Sequence, residues 1–176
     1  MPPVTPADIE RAIRNVPDFP KPGIQFKDIT PVLADARLFA GAIDLLTEKF
    51  SPGAVDAVVG IDARGFIFAA AAATKLKAGF VPVRKKGKLP FQTIEQDYAL
   101  EYGSATVAMH VDALKPGARV VLIDDLLATG GTSSAAAALM KKLGANILEI
   151  VFLIELKFLN GREKLQGHPV RSIIAY

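Results

Sequence analysis

The chain has 176 residues, of which 51% are hydrophobic and 22% charged, a formal net charge of +3 at pH 7, and no cysteine. This length and apolar fraction suit one compact domain with a substantial core, and the lack of cysteine excludes disulfides, thiolate metal sites and cysteine nucleophiles. The N-terminus lacks the basic-then-apolar pattern of a signal peptide. Charged residues flank the alanine-rich run 69–73 too closely for a membrane span. We therefore expect a cytoplasmic protein with no membrane partner.

The hydrophobic pattern predicts alternating helices and strands along most of the chain. In chain order the predicted helices are 5–15, 35–50, 64–77 and 132–143, and the predicted strands are 55–61, 79–84, 106–109, 120–123, 147–156 and 170–175. Because strands and helices alternate, we predict an α/β fold with a twisted, mostly parallel sheet and helices on both sides. Residues 89–103 hold few core residues and many polar ones.

Two carboxylates follow the apolar run 120–123. The run is typical of a central parallel strand that is covered on both faces, and Asp124 and Asp125 are predicted to end it. Open α/β sheets bind ligands at the carboxyl ends of their strands. Carboxylates at such a position can accept hydrogen bonds from vicinal hydroxyls or hold a hydrated magnesium ion.

A loop rich in anion donors comes next, and its residues are Ala128, Thr129, Gly130, Gly131, Thr132 and Ser133. Paired glycines let backbone N–H groups approach an anion, and the positive end of the following helix faces the same point. The alternative is an ordinary strand-to-helix connection with a threonine N-cap. A Walker A loop is excluded because its lysine is missing, and the dinucleotide motif G-x-G-x-x-G does not occur. A sugar phosphate fits both the carboxylates and the loop.

Residue for residue, the stretch 120–133 resembles the phosphoribosyl diphosphate signature of type I phosphoribosyltransferases. The resemblance implies that Asp124 and Asp125 hold the ribose 2- and 3-hydroxyls, and that the loop after them cradles the 5-phosphate. Further segments match the adenine-using members of the family in the same order, and these are residues 19–31, 61–66, 83–90 and 98–103. The resemblance covers essentially the whole chain. It implies a single domain with an N-terminal arm and hood at about 1–34 and a mobile lid loop at about 89–103.

The resemblance also implies an activity in purine salvage. The 5-phosphoribosyl group of 5-phosphoribosyl 1-diphosphate would pass to adenine, giving AMP and diphosphate. Magnesium would be the cofactor, held mainly through substrate oxygens and water, with no dedicated protein ligands. Similar enzymes are homodimers. Two alternatives stay open: a salvage enzyme for hypoxanthine, guanine, xanthine or a pyrimidine, and a non-catalytic sensor of phosphoribosyl diphosphate.

In this family a glutamate on the mobile loop exchanges a proton with the base, and Glu101 matches it. Without the resemblance, Glu101 would be an ordinary exposed acid, and Tyr102 could be a lid contact or a core residue. Phe26 would stack on the purine, with the Gln25 backbone reading the ring edge and Lys27 nearby, although an isolated phenylalanine is usually core. Many members carry arginine in place of Lys27, so the planar fork is absent here.

The resemblance also implies contacts with diphosphate for several basic residues, namely Arg64, Arg84, Lys85 and Lys88. For Arg64 the alternative is a structural ion pair with Asp62, and for the others it is a solvated strand end. We interpret Lys86, His110 and His168 as structural. Since a small polyanion explains the basic charge, no nucleic-acid partner is expected.

Overall fold

The computed structural model describes residues 2–100 and 103–176, and the chain divides into two compact units, Met1–Leu45 and Leu46–Tyr176. The first unit contains helices α1 (Pro6–Ala12) and α2 (Thr30–Ala34), most of α3 (Ala36–Thr47), and strands β1 (Arg14–Pro17) and β2 (Gln25–Asp28). Helix α1 begins at a capping box in which Thr5 and Asp8 bond each other's backbone N–H groups.

The predicted first helix is too long, because the chain leaves α1 after Ala12 and enters β1. Strands β1 and β2 form a two-stranded antiparallel sheet in which Val16 lies opposite Phe26. Both strands are short and mostly polar, β1 is largely exposed and β2 is partly buried, and neither shows the apolar alternation that marks a strand in a sequence.

The second unit holds a seven-stranded sheet in the order β5-β6-β4-β3-β7-β8-β9. Its elements are β3 (Ala57–Ile61), α4 (Arg64–Leu76), β4 (Gly79–Lys85), β5 (Thr93–Ala99), β6 (Ser104–His110), β7 (Arg119–Leu127), α5 (Gly131–Lys142), β8 (Asn146–Glu155) and β9 (Val170–Ala175). Strands β4, β3, β7, β8 and β9 run parallel, whereas β6 pairs antiparallel with both β4 and β5. The predicted α/β fold with a mostly parallel sheet is confirmed.

The core lies on both faces of the central strands β3 and β7. Val59 and Leu122 are fully buried in a cluster with Met140 of α5, while their neighbours Val58 and Ile123 are also fully buried but lie outside that cluster. Helix α4 packs against β3 and β7, and α5 packs against β5, β6 and β8. Because both faces are covered, these strands are continuous apolar runs in the sequence.

The predicted end of the strand at the aspartates is wrong, and the segment 89–103 contains a strand that was not predicted. Strand β7 does not end at the paired aspartates but continues through them to Leu127, with Leu127 in register with Glu155 of β8. The proposed loop at 89–103 contains β5, which pairs along its whole length with β6, from Thr93 opposite His110 to Ala99 opposite Ser104. An antiparallel edge strand can leave one face in water, which explains its polar composition. The predicted mobility of this segment stays a prediction.

Across the part of the chain described here, no helix has the length and apolar character needed to cross a membrane.

Candidate active site

A cavity of about 310 Å³ lies at the carboxyl ends of β3 and β7. It is lined by Ile61, Asp62, Ala63, Arg64, Asp124, Asp125, Leu126, Ala128, Thr129, Gly130, Gly131, Thr132 and Ser133. Strand β3 has β4 on one side and β7 on the other, so the chain crosses over in opposite directions from this point. Ligands of open α/β sheets bind at such a switch point. The two aspartates, the whole predicted anion-binding loop and Arg64 therefore surround one space.

The anion loop, defined here as residues 128–133, joins β7 to α5 through a left-handed residue. Gly130 has φ 76° and is the N-cap of α5, with no side chain capping the helix. The alternative of a threonine N-cap is therefore wrong. An uncapped first turn presents backbone N–H groups, and the helix dipole adds partial positive charge at the same point. This end of α5 is chemically suited to a phosphate.

Gly161 supports the loop from behind, a contact that the sequence analysis did not predict. A Cβ built on Gly130 would lie 2.2 Å from the Gly161 carbonyl oxygen, and one built on Gly161 would lie 2.2 Å from the Ala128 carbonyl oxygen. The loop thus rests, backbone against backbone, on the short 3-10 turn Gly161–Leu165. The Asn-Gly pair at 160–161 marks a turn in the sequence but not the element that the turn contacts.

The two carboxylates are buried and close together. Asp124 is 9% exposed and Asp125 is 7% exposed, and the Asp125 N–H donates to Asp124 Oδ1 at 2.9 Å. Burial, followed by the charge of Asp125, raises the pKa of Asp124 well above its ordinary value. Gly65 of α4 makes room for this carboxylate, since a Cβ there would lie 2.3 Å from Asp124 Oδ1. Sequence reasoning missed Gly65 because its role depends on a residue 59 positions away (124 − 65).

Arg64 forms an ion pair with Asp125 across the cavity. Asp62, the partner considered for Arg64 from sequence, accepts a hydrogen bond from Arg84 Nε at 2.9 Å. The peptide bond between Asp62 and Ala63 is cis. Two arginines thus place their guanidinium groups beside cavity carboxylates. Each of these cations is balanced by a carboxylate, so a polyanion that enters would compete with Asp125 and Asp62 for them.

The basic residues at the end of β4 and just after it lie in different environments. Arg84 and Lys85 line a smaller cavity of about 170 Å³, which shares Asp62 and Thr132 with the larger one. Arg84 Nη1 also donates to the Lys88 carbonyl oxygen at 3.0 Å, so Lys88 is tied to the site through its backbone. Lys86 instead pairs with Glu95 of β5 at 2.7 Å, in agreement with its structural interpretation.

The hood residues Gln25, Phe26 and Lys27 all lie in β2, within the first compact unit. The Phe26 ring packs edge-on against Phe19, with centroids 5.1 Å apart, and Lys27 Nζ donates to Asn15 Oδ1 at 2.7 Å. Their roles towards the base stay predictions. Residues 101 and 102, the candidate acid/base Glu101 and its neighbour Tyr102, lie outside the described residues.

The sequence is similar to known proteins over nearly its whole length. Residues 28–173 match the model of the phosphoribosyl transferase domain. The chain is 54% identical over 175 residues to adenine phosphoribosyltransferase of Acidothermus cellulolyticus, an alignment that covers 99% of each chain. The chain belongs to the adenine phosphoribosyltransferase family.

Solved structures of adenine phosphoribosyltransferases share the fold. The enzyme from Thermoanaerobacter pseudethanolicus is 49% identical with a TM-score of 0.94, over 98% of this chain and 100% of that one. The enzyme from Saccharomyces cerevisiae is 40% identical with a TM-score of 0.90, over 96% and 97% of the two chains. The yeast protein was crystallised with an imino-altritol bisphosphate and adenine. The type I phosphoribosyltransferase fold predicted from the sequence is therefore confirmed.

Burial of Asp124 predicts a variant that is more stable than the native chain. Because the pKa of Asp124 is higher in the folded than in the unfolded state, ionisation weakens the fold as the pH rises above 3.8, and fully so above the folded-state pKa. Asp124→Asn cannot ionise and keeps an oxygen to accept from the Asp125 N–H. Its thermal midpoint without substrate should exceed that of the native chain at about pH 8, by roughly 2–4 °C for each kcal/mol gained. The difference should vanish towards about pH 4, and a lower midpoint at pH 8 would contradict the assignment.

Proposed function

We propose that the chain transfers the 5-phosphoribosyl group of 5-phosphoribosyl 1-diphosphate to adenine, forming AMP and diphosphate in purine salvage. The observation that carries this proposal is the single cavity in which paired carboxylates face an uncapped, glycine-rich helix start. Relatives that carry the adenine phosphoribosyltransferase name match this chain over nearly its full length. The names of these relatives support the reaction, and the residues of the cavity support binding of its sugar-phosphate substrate.

Each part of the cavity fits one demand of the reaction. Loss of diphosphate from the anomeric carbon leaves positive charge on the ribose ring, so a site must fix the sugar and neutralise the leaving group. The anion loop is proposed to hold the 5-phosphate, and Asp124 and Asp125 the two ribose hydroxyls. The basic residues proposed to contact the diphosphate are Arg64, Arg84, Lys85 and Lys88.

The proposed role of Arg64 requires a change of partner. Its guanidinium now pairs with Asp125, while 46% of its side chain is exposed to solvent. Diphosphate offers an acceptor of higher charge than one carboxylate. Arg64 would therefore pass from Asp125 to diphosphate when substrate binds, and Asp125 would become available to the ribose hydroxyls.

Magnesium is proposed as the cofactor. In residues 2–100 and 103–176, no cluster of three or more histidine, aspartate or glutamate side chains could hold a metal ion. The oxygens of Asp124 and Asp125 are donors of the kind that magnesium prefers, and a pair of carboxylates with substrate oxygens and water suits an ion that releases water reluctantly. The residues therefore fit the ion. When bound, it would neutralise charge on the diphosphate.

Base recognition is proposed for the hood, with Phe26 stacking on the purine and Gln25 and Lys27 at its edge. Glu101 is proposed to exchange a proton with a ring nitrogen, with Tyr102 as a lid contact.

We also propose a cytoplasmic homodimer. An apolar patch on the second unit supports a partner copy, since Ile67 and Phe80 are 40% and 37% exposed and Phe80 packs edge-on against Phe66.

The proposal is tested by supplying the purified protein with phosphoribosyl diphosphate and magnesium. Adenine, hypoxanthine, guanine, xanthine and uracil are offered separately, and nucleotide and diphosphate are both measured. AMP from adenine alone is expected. A different nucleotide would overturn the base assignment while leaving the reaction intact. Binding of phosphoribosyl diphosphate without product would overturn catalysis and favour the sensor.

A further inference from the structure

An ion pair with a buried carboxylate lies behind the anion loop, outside the cavity lining. Glu155, the last residue of β8, is 4% exposed. Arg162 donates to both of its oxygens, from Nε to Oε1 and from Nη2 to Oε2, each at 2.6 Å. These parallel bonds are the bidentate geometry that makes arginine–carboxylate pairs rigid as well as strong.

The same arginine also bonds β9. Its Nη1 donates to the Val170 carbonyl oxygen at 2.9 Å and its Nη2 to Ser172 Oγ at 2.8 Å, while Ser172 Oγ donates in turn to Glu155. Hydrogen bonding by Arg162 holds the pKa of Glu155 below its usual range, so the carboxylate stays charged. One side chain therefore fixes the 3-10 turn to the ends of two strands.

Arg162 and Glu155 are each connected to the anion loop through neighbouring backbone. On one side, Arg162 directly follows Gly161, whose backbone contacts the loop at Ala128 and Gly130. On the other, Glu155 lies in register with Leu127, the residue before the loop, and the Leu156 N–H donates to the Leu127 carbonyl oxygen at 2.9 Å. The loop and the turn that supports it are thus both held relative to Glu155.

We propose that Arg162 and Glu155 are positioning residues for the phosphate of the substrate, and this inference rests on the proposed function. By fixing Gly161 against the loop, the pair keeps the backbone N–H groups of residues 128–133 in the arrangement that a phosphate needs. Preorganised donors bind an anion without further ordering, whereas a loop without support must be ordered by the ligand. The pair should therefore act on phosphate binding and leave base binding unchanged.

The test compares Arg162→Ala and Arg162→Lys with the native chain at a temperature well below every thermal midpoint. Calorimetry gives the Kd of ribose 5-phosphate, and steady-state kinetics give KM for phosphoribosyl diphosphate and for adenine separately. We expect Arg162→Ala to raise the Kd and the phosphoribosyl diphosphate KM by roughly 10- to 100-fold, with adenine KM within about twofold. Arg162→Lys keeps the charge but loses the fork, and should show the same selective rise, smaller in size.

Arg171→Ala is the matched control. Arg171 of β9 donates to Glu149 of β8 at 3.1 Å, so this variant also loses an arginine–carboxylate pair with a buried glutamate of β8. It should lower the thermal midpoint without raising the phosphoribosyl diphosphate KM more than about twofold. Equal effects of Arg162→Ala and Arg171→Ala on KM would overturn the proposal, as would a loss of stability in Arg162→Ala with unchanged phosphate binding.

Further outcomes separate this inference from the proposed function. If Arg162→Ala does not fold, Arg162→Lys and Glu155→Gln carry the test, since both keep most of the packing volume. If the native chain forms no AMP, the proposed function fails. The Kd of ribose 5-phosphate then decides the positioning role alone.

Discussion

Replacing Asp124 and Asp125 together by asparagine should lower kcat/KM for nucleotide formation by roughly 10³-fold. Both carboxylates line the cavity and are buried. Burial disfavours the charge on Asp124, so the charge weakens the fold that carries it. A group that costs stability and faces a cavity is best explained by its interaction with a ligand. The measurement is AMP formation under saturating adenine.

Asp56→Asn provides the control for that double variant. Asp56 precedes β3 at the opposite end of the strand and pairs with Arg119 at 2.7 Å, and this hydrogen bonding lowers its pKa to about 2. Loss of the Asp56 charge should reduce stability at neutral pH and leave AMP formation unchanged. Intact activity in the Asp124→Asn, Asp125→Asn variant would show that these carboxylates serve the fold.

Gly130→Ala should reduce nucleotide formation more than about tenfold and lower the free energy of unfolding by more than about 2 kcal/mol. Two effects add at this position. The residue has φ 76°, which disfavours any side chain, and the new methyl group would lie 2.2 Å from the backbone oxygen of Gly161. Because backbone cannot rotate away as a side chain can, the anion loop has to move.

Gly117→Ala separates those two effects. Gly117 has φ +78°, almost the same conformation, but a Cβ there meets no atom within 4 Å. This variant should lose about 1–2 kcal/mol and retain full activity. Chemical denaturation and AMP formation are measured for both variants, and equal losses of stability would show that contact with Gly161 contributes nothing.

The central strands were predictable because burial on both faces leaves a plain signal. The predicted bounds of β3 and β8 differ from the observed ones by one or two residues. The predicted strand 170–175 coincides with β9, which lies at the edge of the sheet. Strand β5 was not predictable, because its stability comes from pairing with β6 and not from an apolar pattern. Strands β1 and β2 were not predictable either, because each has only four residues and no apolar alternation.

The sequence predicted the parts of the site that lie close together in the chain. Asp124, Asp125 and the anion loop occupy ten consecutive residues, 124–133, and the structure places all of them around the cavity or directly at its rim. Gly65, Gly161 and Arg162 were not predictable, since each acts through a residue distant in sequence. A glycine that makes room for a carboxylate has the same sequence signature as any helix glycine. Only the packed fold distinguishes it.

Because β7 continues beyond the aspartates, both carboxylates lie in the sheet and not on a connecting loop. Binding residues usually lie on connections that unfold locally at little cost, and their amides exchange with solvent long before those of the core. Here both carboxylates belong to a strand bonded on one side to β3 and on the other to β8, near the middle of the seven-stranded sheet. The amides of the β7 residues that pair on both sides, up to Ile123, should exchange only when the whole unit unfolds. On heating, the sheet that carries both carboxylates and the geometry of the cavity should be lost in one transition.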